Sequence, residues 1–184
     1  MMTYSKKESE YLLKLARDAI ASSFTKSPLP VQDIPANCLE KRACFVTLTQ
    51  EGRLRGCIGH LAPTQELYKD VIDCARAAAF GDPRFAPLQK GGLDKIKIEV
   101  SILSLLKKLD LSGQDAILEY FKENKPGVII KKGPRQATFL PQVWDGLPNP
   151  ADFLAQLCQK AGLPRDEWEN DLEIETYDIE KIKE

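Results

Sequence analysis

The polar and apolar positions of this chain change period several times, and each change marks an element. From Lys6 to Ser23 the apolar residues Leu12, Leu15, Ala16, Ala19 and Ile20 recur at three- and four-residue steps, which places them on one face of a helix. Ser5-Lys6-Lys7-Glu8 forms a capping box at its start. Pro28, Pro30 and Pro35 then interrupt hydrogen bonding between Phe24 and Leu39, so this stretch is predicted to run as a surface loop. Ala43 to Thr49 and Arg53 to Ile58 are two β-favouring runs around a short turn with Gly52, the pattern of a hairpin. Thr64 is placed to cap a helix through Ala79, with Leu67, Val71, Cys74, Ala75 and Ala78 on its core face and Gly81 as its stop. Lys95 to Leu103 alternates strictly, Ile96, Ile98, Val100 and Ile102 against Lys95, Lys97, Glu99 and Ser101, and predicts a strand covered on one side.

Ser112 is placed to cap a short helix ending near Glu123. Pro126-Gly127 turns into a strand, Val128 to Lys132, and Gly133-Pro134 turns back into Arg135 to Leu140. Pro141 to Pro148 follows neither period. Asn149-Pro150-Ala151-Asp152 is a strong helix start, and Gly162 with Pro164 ends that helix, whose apolar face is Phe153, Leu154, Leu157, Cys158 and Ala161. Leu172, Ile174 and Thr176 alternate with acids in a last strand. Hairpins and helices in irregular order, without βαβ alternation, predict an α+β fold: a mostly antiparallel sheet flanked by helices, in two unequal lobes. The smaller lobe is expected around residues 125–150.

Composition narrows the function classes. With 184 residues the chain can bury roughly 70% of its unfolded surface, enough to fold without disulfide or metal. Five cysteines contain no C-x-x-C pair, and His60 is the only histidine, so neither a zinc-finger spacing nor a two-imidazole metal site is present and no cofactor is expected. Met1 to Glu10 is polar and charged, which argues for the cytoplasm and against a membrane span. Of the net charge of -1, residues 165–184 hold -6 and residues 1–164 hold +5. That surplus is too dispersed for the basic stripe that nucleic acid requires.

The most unusual local sequence is Leu54-Arg55-Gly56-Cys57-Ile58-Gly59, a cysteine framed by glycines. Glycines permit close backbone approach, and Arg55, two residues away on a strand, shares a face with Cys57 and can lower its thiol pKa. Cys57 is then a nucleophile or part of an anion cradle. The competing reading is a buried cysteine that fills the hairpin's core face. A Cys57–His60 dyad requires the chain to turn at Gly59, because residues three apart in a strand point to opposite faces. Asp82-Pro83-Arg84-Phe85 presents an arginine that either holds an anion by a two-pronged bond or is tied internally to Asp82. Phe139 and Trp144, within Ala137 to Trp144, are either core or ligand platform.

Four segments in order, Leu54 to Gly59, Ala79-Phe80-Gly81-Asp82-Pro83-Arg84-Phe85, Ile98 to Ser104, and Ala137-Thr138-Phe139-Leu140-Pro141-Gln142-Val143, resemble the AMMECR-type domain family, whose prokaryotic members are called AmmeMemoRadiSam system protein A. Lys160-Ala161-Gly162-Leu163 with Trp168 extends the likeness to nearly the whole chain, as one such domain over 1–184. The resemblance implies an α+β fold in two unequal lobes with the R-G-C-I-G segment at its functional centre. It implies a Memo-like protein and a radical S-adenosylmethionine protein as partners. His60 stands where relatives often have Ser or Thr. Two readings result: an enzyme or enzyme subunit with Cys57 and Arg55 catalytic, and a non-catalytic module docking on those partners. Gly56, Ile58, Gly59, Asp82, Arg84, Phe85, Thr138, Phe139 and Pro141 are the candidate ligand or partner contacts in both. A nucleic-acid factor is the third reading.

Overall fold

The computed structural model describes residues 3–25, 27–170 and 172–184. The chain divides into two compact units, Met1–Ser104 with Glu180–Glu184, and Leu105–Ile179.

The first unit begins with α1 (Lys6–Thr25). Glu8 accepts from the Ser5 amide at 2.7 Å while Ser5 Oγ accepts from the Glu8 amide at 3.3 Å, so the capping box forms. Leu12, Leu15, Ala16, Ala19 and Ile20 are all buried. Each large member of this stripe contributes about 1.5–3 kcal/mol on leaving water. The proline-interrupted stretch is a loop that closes with a 3-10 turn, Ala36–Leu39, and buries Cys38.

Strands β1 (Cys44–Gln50) and β2 (Arg53–Gly59) form the hairpin. Glu51 and Gly52 both have positive φ, as a two-residue turn between twisted strands requires. Helix α2 (Leu67–Phe80) follows, then β3 (Ile96–Leu103). The sheet also includes β8 (Ile179–Lys183) and has the order β2-β1-β3-β8, which leaves β2 at an edge. Cys44, Val46 and Leu48 of β1 join Ile96, Ile98, Val100 and Ile102 of β3 in one core with the α1 stripe and Leu67, Val71, Cys74, Ala75 and Ala78 of α2.

The start of α2 differs from expectation. Thr64 donates its amide to Ala62 O in a tight turn, and Glu66, held extended by a bridge to Lys41, is the residue before the helix. Gly81 ends α2 as expected, its amide donating to Ala77 O at 2.7 Å.

The second unit contains β4 (Lys107–Lys108), α3 (Gln114–Glu123), β5 (Gly127–Lys132), β6 (Arg135–Phe139), α4 (Pro150–Lys160) and β7 (Glu173–Tyr177). Its sheet has the order β4-β7-β5-β6, with each recorded pairing antiparallel. Gly113 at φ 90°, not Ser112, precedes α3. Asn149 Oδ1 caps α4 by accepting from Ala151 and Asp152. The irregular stretch forms a 3-10 turn, Pro141–Asp145, that buries Trp144, whose ring stacks on Phe153 at 3.5 Å. These rings join Phe121, Val128, Ile130, Leu154, Leu157 and Cys158 in a separate core. Among the described residues no helix is long and apolar enough to cross a membrane.

The α2–β2 contact in the first unit is set by Gly56. A Cβ at this position would lie 2.1 Å from the Ala78 carbonyl oxygen, a backbone atom that cannot swing away. Gly56→Ala is therefore expected to lose about 1–3 kcal/mol or more, the cost of overpacking. Gly91→Ala, where a Cβ meets nothing within 4 Å, should change stability by about 0.5 kcal/mol or less. Urea unfolding of both variants measures the contrast.

Candidate functional site

The R-G-C-I-G and G-D-P-R-F segments meet at the edge of the first unit's sheet. Thr47 pairs with Cys57 and Leu48 with Gly56, but Thr49 pairs with Leu54, so Arg55 is the extra residue of a bulge. A bulge re-aims the side chain it carries. Arg55 extends to the G-D-P-R-F loop, donating from Nη2 to Ala86 O at 2.6 Å, with its guanidinium 5.9 Å from the centre of the Phe85 ring. The bulge interrupts the pairing at Arg55, and the recorded tie of its guanidinium is to Ala86 O.

The loop following α2 covers the backbone of Cys57. The Cys57 amide donates to Asp82 Oδ2 at 2.9 Å, and Arg84 Nη2 donates to the Cys57 carbonyl at 3.3 Å. Asp82 is 4% exposed and accepts from Arg84 three times: the amide to Oδ1 at 3.1 Å, Nε to Oδ1 at 2.9 Å and Nη2 to Oδ2 at 2.7 Å. The guanidinium, followed by the two amides, holds the Asp82 carboxyl well below the usual carboxylate range. The same bond raises Arg84 above its ordinary value. The Arg84 side chain remains 54% exposed and lies 5.5 Å from the Phe85 ring centre. Of the two roles open to this loop, the internal Asp–Arg tie is formed, and both guanidiniums lie close to the Phe85 ring centre, at 5.9 and 5.5 Å.

The glycine frame is filled by the protein itself. Gly56 admits Ala78, and a Cβ at Gly59 would fall 2.4 Å from both the Cys44 carbonyl and the Phe45 ring. Ile58 packs against the core. Cys57 is half-buried, whereas Cys38, Cys44, Cys74 and Cys158 are buried. Its Sγ accepts from Thr47 Oγ1 at 3.2 Å.

His60 turns elsewhere. Its amide donates to Cys44 O at 3.0 Å, and its Nδ1 lies 2.7 Å from Asp70 Oδ1 and 3.5 Å from Cys74 Sγ. The recorded partners of His60 and of Cys57 are thus different residues, and no Cys57–His60 hydrogen bond forms among the described residues. Burial, with Cys74 and Asp70 alongside, pushes the Cys44 thiol well above its ordinary value. Asp70 escaped the sequence reading although a signal existed: an acid on the α2 apolar stripe, between Leu67 and Cys74, must be paired once buried.

Thr138, Phe139 and Pro141 belong to the second unit, where each has an internal role. Thr138 Oγ1 donates to Val128 O at 2.9 Å and lies 2.9 Å from Tyr177 Oη. Phe139 meets Phe153 edge to face at 5.2 Å, and Lys160 Nζ sits over its ring while donating to Thr138 O at 3.0 Å. Pro141 starts the 3-10 turn.

An antiparallel α+β protein of two units, with a glycine-bearing edge strand covered by an Asp-Pro-Arg-Phe loop, defines a narrow class. The AMMECR1 family model matches residues 13–182, and the chain belongs to that family. It is 37% identical over 188 residues to Protein MK0488 of Methanopyrus kandleri, covering 96% of this chain and 88% of the relative. It is 38% identical over 164 residues to Protein NEQ441 of Nanoarchaeum equitans, covering 85% and 89%. The crystal structure of uncharacterized protein PH0010 from Pyrococcus horikoshii matches at TM-score 0.83 and 32% identity, over 98% of this chain and 93% of that one. These likenesses carry family and fold, and no reaction.

The Asp82 lock has a defined acid response. A carboxylate held below its unfolded value near 3.9 stabilises the fold fully above that pH and loses its contribution as the pH falls through the folded value. Asp82→Asn removes this component. The drop in urea midpoint between about pH 7 and pH 3 is expected to be smaller in the variant than in the wild type; an equal drop would assign the acid loss to other carboxylates.

Proposed function

We propose that this protein acts by binding, with the Arg55–Phe85–Arg84 surface recognising a carboxylate-bearing segment of a partner protein. The observation that carries the reading is the pair of arginines whose guanidiniums lie 5.9 and 5.5 Å from the centre of one half-buried aromatic ring. Each is anchored by part of its guanidinium, which removes much of the ordering cost when the remaining donors engage an anion. The family resemblance nominates the partners, a Memo-like protein or a radical S-adenosylmethionine protein. Arg55→Ala and Phe85→Ala leave the Asp82–Arg84 lock intact and are the variants of choice. In a pull-down with each partner, both should weaken binding by about tenfold or more, since an interface arginine or aromatic at a hot spot contributes about 2 kcal/mol. Unchanged binding in both folded variants would reject this surface.

A second reading is favoured by the accessibility of Cys57, the one cysteine of five that is not buried. In it, Cys57 is a reactive thiol of an enzyme or enzyme subunit, with the Thr47 hydroxyl on its sulfur and Arg84 on its carbonyl. Iodoacetamide should then modify Cys57 ahead of Cys38, Cys44, Cys74 and Cys158 in the native protein, and faster than it modifies free cysteine under the same conditions. A rate no faster than that of free cysteine would leave Cys57 accessible but not activated, and would remove the enzymatic reading.

A further inference from the structure

A second group of chemically capable side chains lies at the N-terminal half of α2. Asp70 and Cys74 are one helical turn apart and share a face. That face meets Cys44 at the start of β1 and His60 just beyond β2. Cys44, Asp70 and Cys74 are all buried, and one sulfur or carboxylate oxygen from each lies within 4.8 Å of the others. His60 supplies a fourth donor, Nδ1, 3.5 Å from Cys74 Sγ and 2.7 Å from Asp70 Oδ1.

We propose that Cys44, Asp70, Cys74 and His60 form a binding site for one thiophilic divalent cation of the zinc type. Two sulfurs, one imidazole nitrogen and one carboxylate oxygen are a tetrahedral donor set for such an ion, and the two sulfurs disfavour magnesium and calcium, which take oxygen ligands. The separations around Cys74 are close to those required. Zinc–ligand bonds of about 2.0–2.3 Å place tetrahedral donors about 3.3–3.8 Å apart. Cys74 Sγ already stands 3.5 Å from His60 Nδ1 and 3.9 Å from Asp70 Oδ2. The 2.7 Å His60–Asp70 contact is too short, and the half-exposed imidazole needs to retreat by less than about 1 Å to open it, while Cys44 Sγ, within 4.8 Å of the Cys74 and Asp70 donors, closes on the ion from its side.

The supporting bonds are also in place. Asp70 Oδ2 accepts from the Cys44 amide at 2.9 Å, and Asp70 Oδ1 accepts from Gln65 Nε2 at 3.2 Å, which orients the carboxylate from outside the donor set. On binding, the two thiols release their protons to solvent, and His60 ligates through Nδ1 with its proton on Nε2. Two thiolates and one carboxylate then surround a divalent cation, leaving one net negative charge beside a half-exposed ring. A search for C-x-x-C or paired histidines does not find this set, because its four donors come from three separate places in the chain.

Cobalt(II) tests the proposal on the full-length chain in reducing buffer. The expected result is thiolate-to-cobalt charge-transfer absorption with intense tetrahedral visible bands, saturating at one cobalt per chain and displaced by zinc. Cys74→Ser should weaken binding by more than the roughly 10–100-fold that loss of an outer partner costs, and Gln65→Ala should fall within that range. His60→Ala, at a half-exposed side chain that the fold tolerates, should weaken binding and alter the visible bands. Cys158→Ser, in the second unit's core, should bind as wild type. Absence of the charge-transfer band in folded, reduced protein would overturn the proposal, as would equal affinity in both the Cys74→Ser and His60→Ala variants. So would a Cys44–Cys74 disulfide that, once reduced, takes up no metal.

Discussion

The contact on which the first unit depends is the one between Gly56 and the carbonyl of Ala78. No side chain fits there, so α2 lies directly on β2 and its position along the strand is fixed. Both chemically capable regions follow from that one approach. The loop leaving the end of α2 delivers Asp82 and Arg84 to the backbone of Cys57, and the helix's first turns deliver Asp70 and Cys74 to Cys44 and His60. Helix α2 is thus a ruler that spaces two groups of polar side chains on the same sheet.

The glycines of R-G-C-I-G illustrate how one residue type serves two different purposes. In a sequence they suggest access for a ligand. In the fold the space they create is occupied by Ala78, Phe45 and Cys44. The surroundings of Cys57 are therefore set by the loop that covers its backbone, not by the absence of side chains around it. That loop is held by charge: a carboxylate 4% exposed, bonded to a guanidinium and two amides, keeps its negative charge at little cost because every lone pair facing the protein is occupied.

Much of the fold was legible because single periods governed long segments. Ile96 to Ile102 alternates without exception, the α1 stripe is unbroken, and Asn149 stands directly before Pro150. What was missed lacks such signals. β4 is two lysines, and β8, Ile179–Lys183, mixes three charged residues with two isoleucines and becomes a strand only by lying next to β3. Thr64 and Ser112 are good capping residues whose places were taken by tertiary geometry, the Lys41–Glu66 bridge and the positive φ of Gly113. At the site, the one-residue bulge at Arg55 is invisible to alternation, and so is the loop that brings Ala86 and Phe85 to that arginine. The His60 group required three separate stretches of chain to meet, which no local spacing encodes.

The cover on β2 also bears on how the molecule behaves in a crowded solution. An outermost strand offers unpaired amides and carbonyls to any other chain, and β2 carries Leu54, 45% exposed, at that margin. By engaging the Cys57 amide and carbonyl, Asp82 and Arg84 occupy the middle of the strand where an intruding strand would have to register. The same two residues that shape the candidate site thus act as a barrier to strand addition between molecules. Any change that frees this loop exposes a template for association at the same moment that it remodels the site.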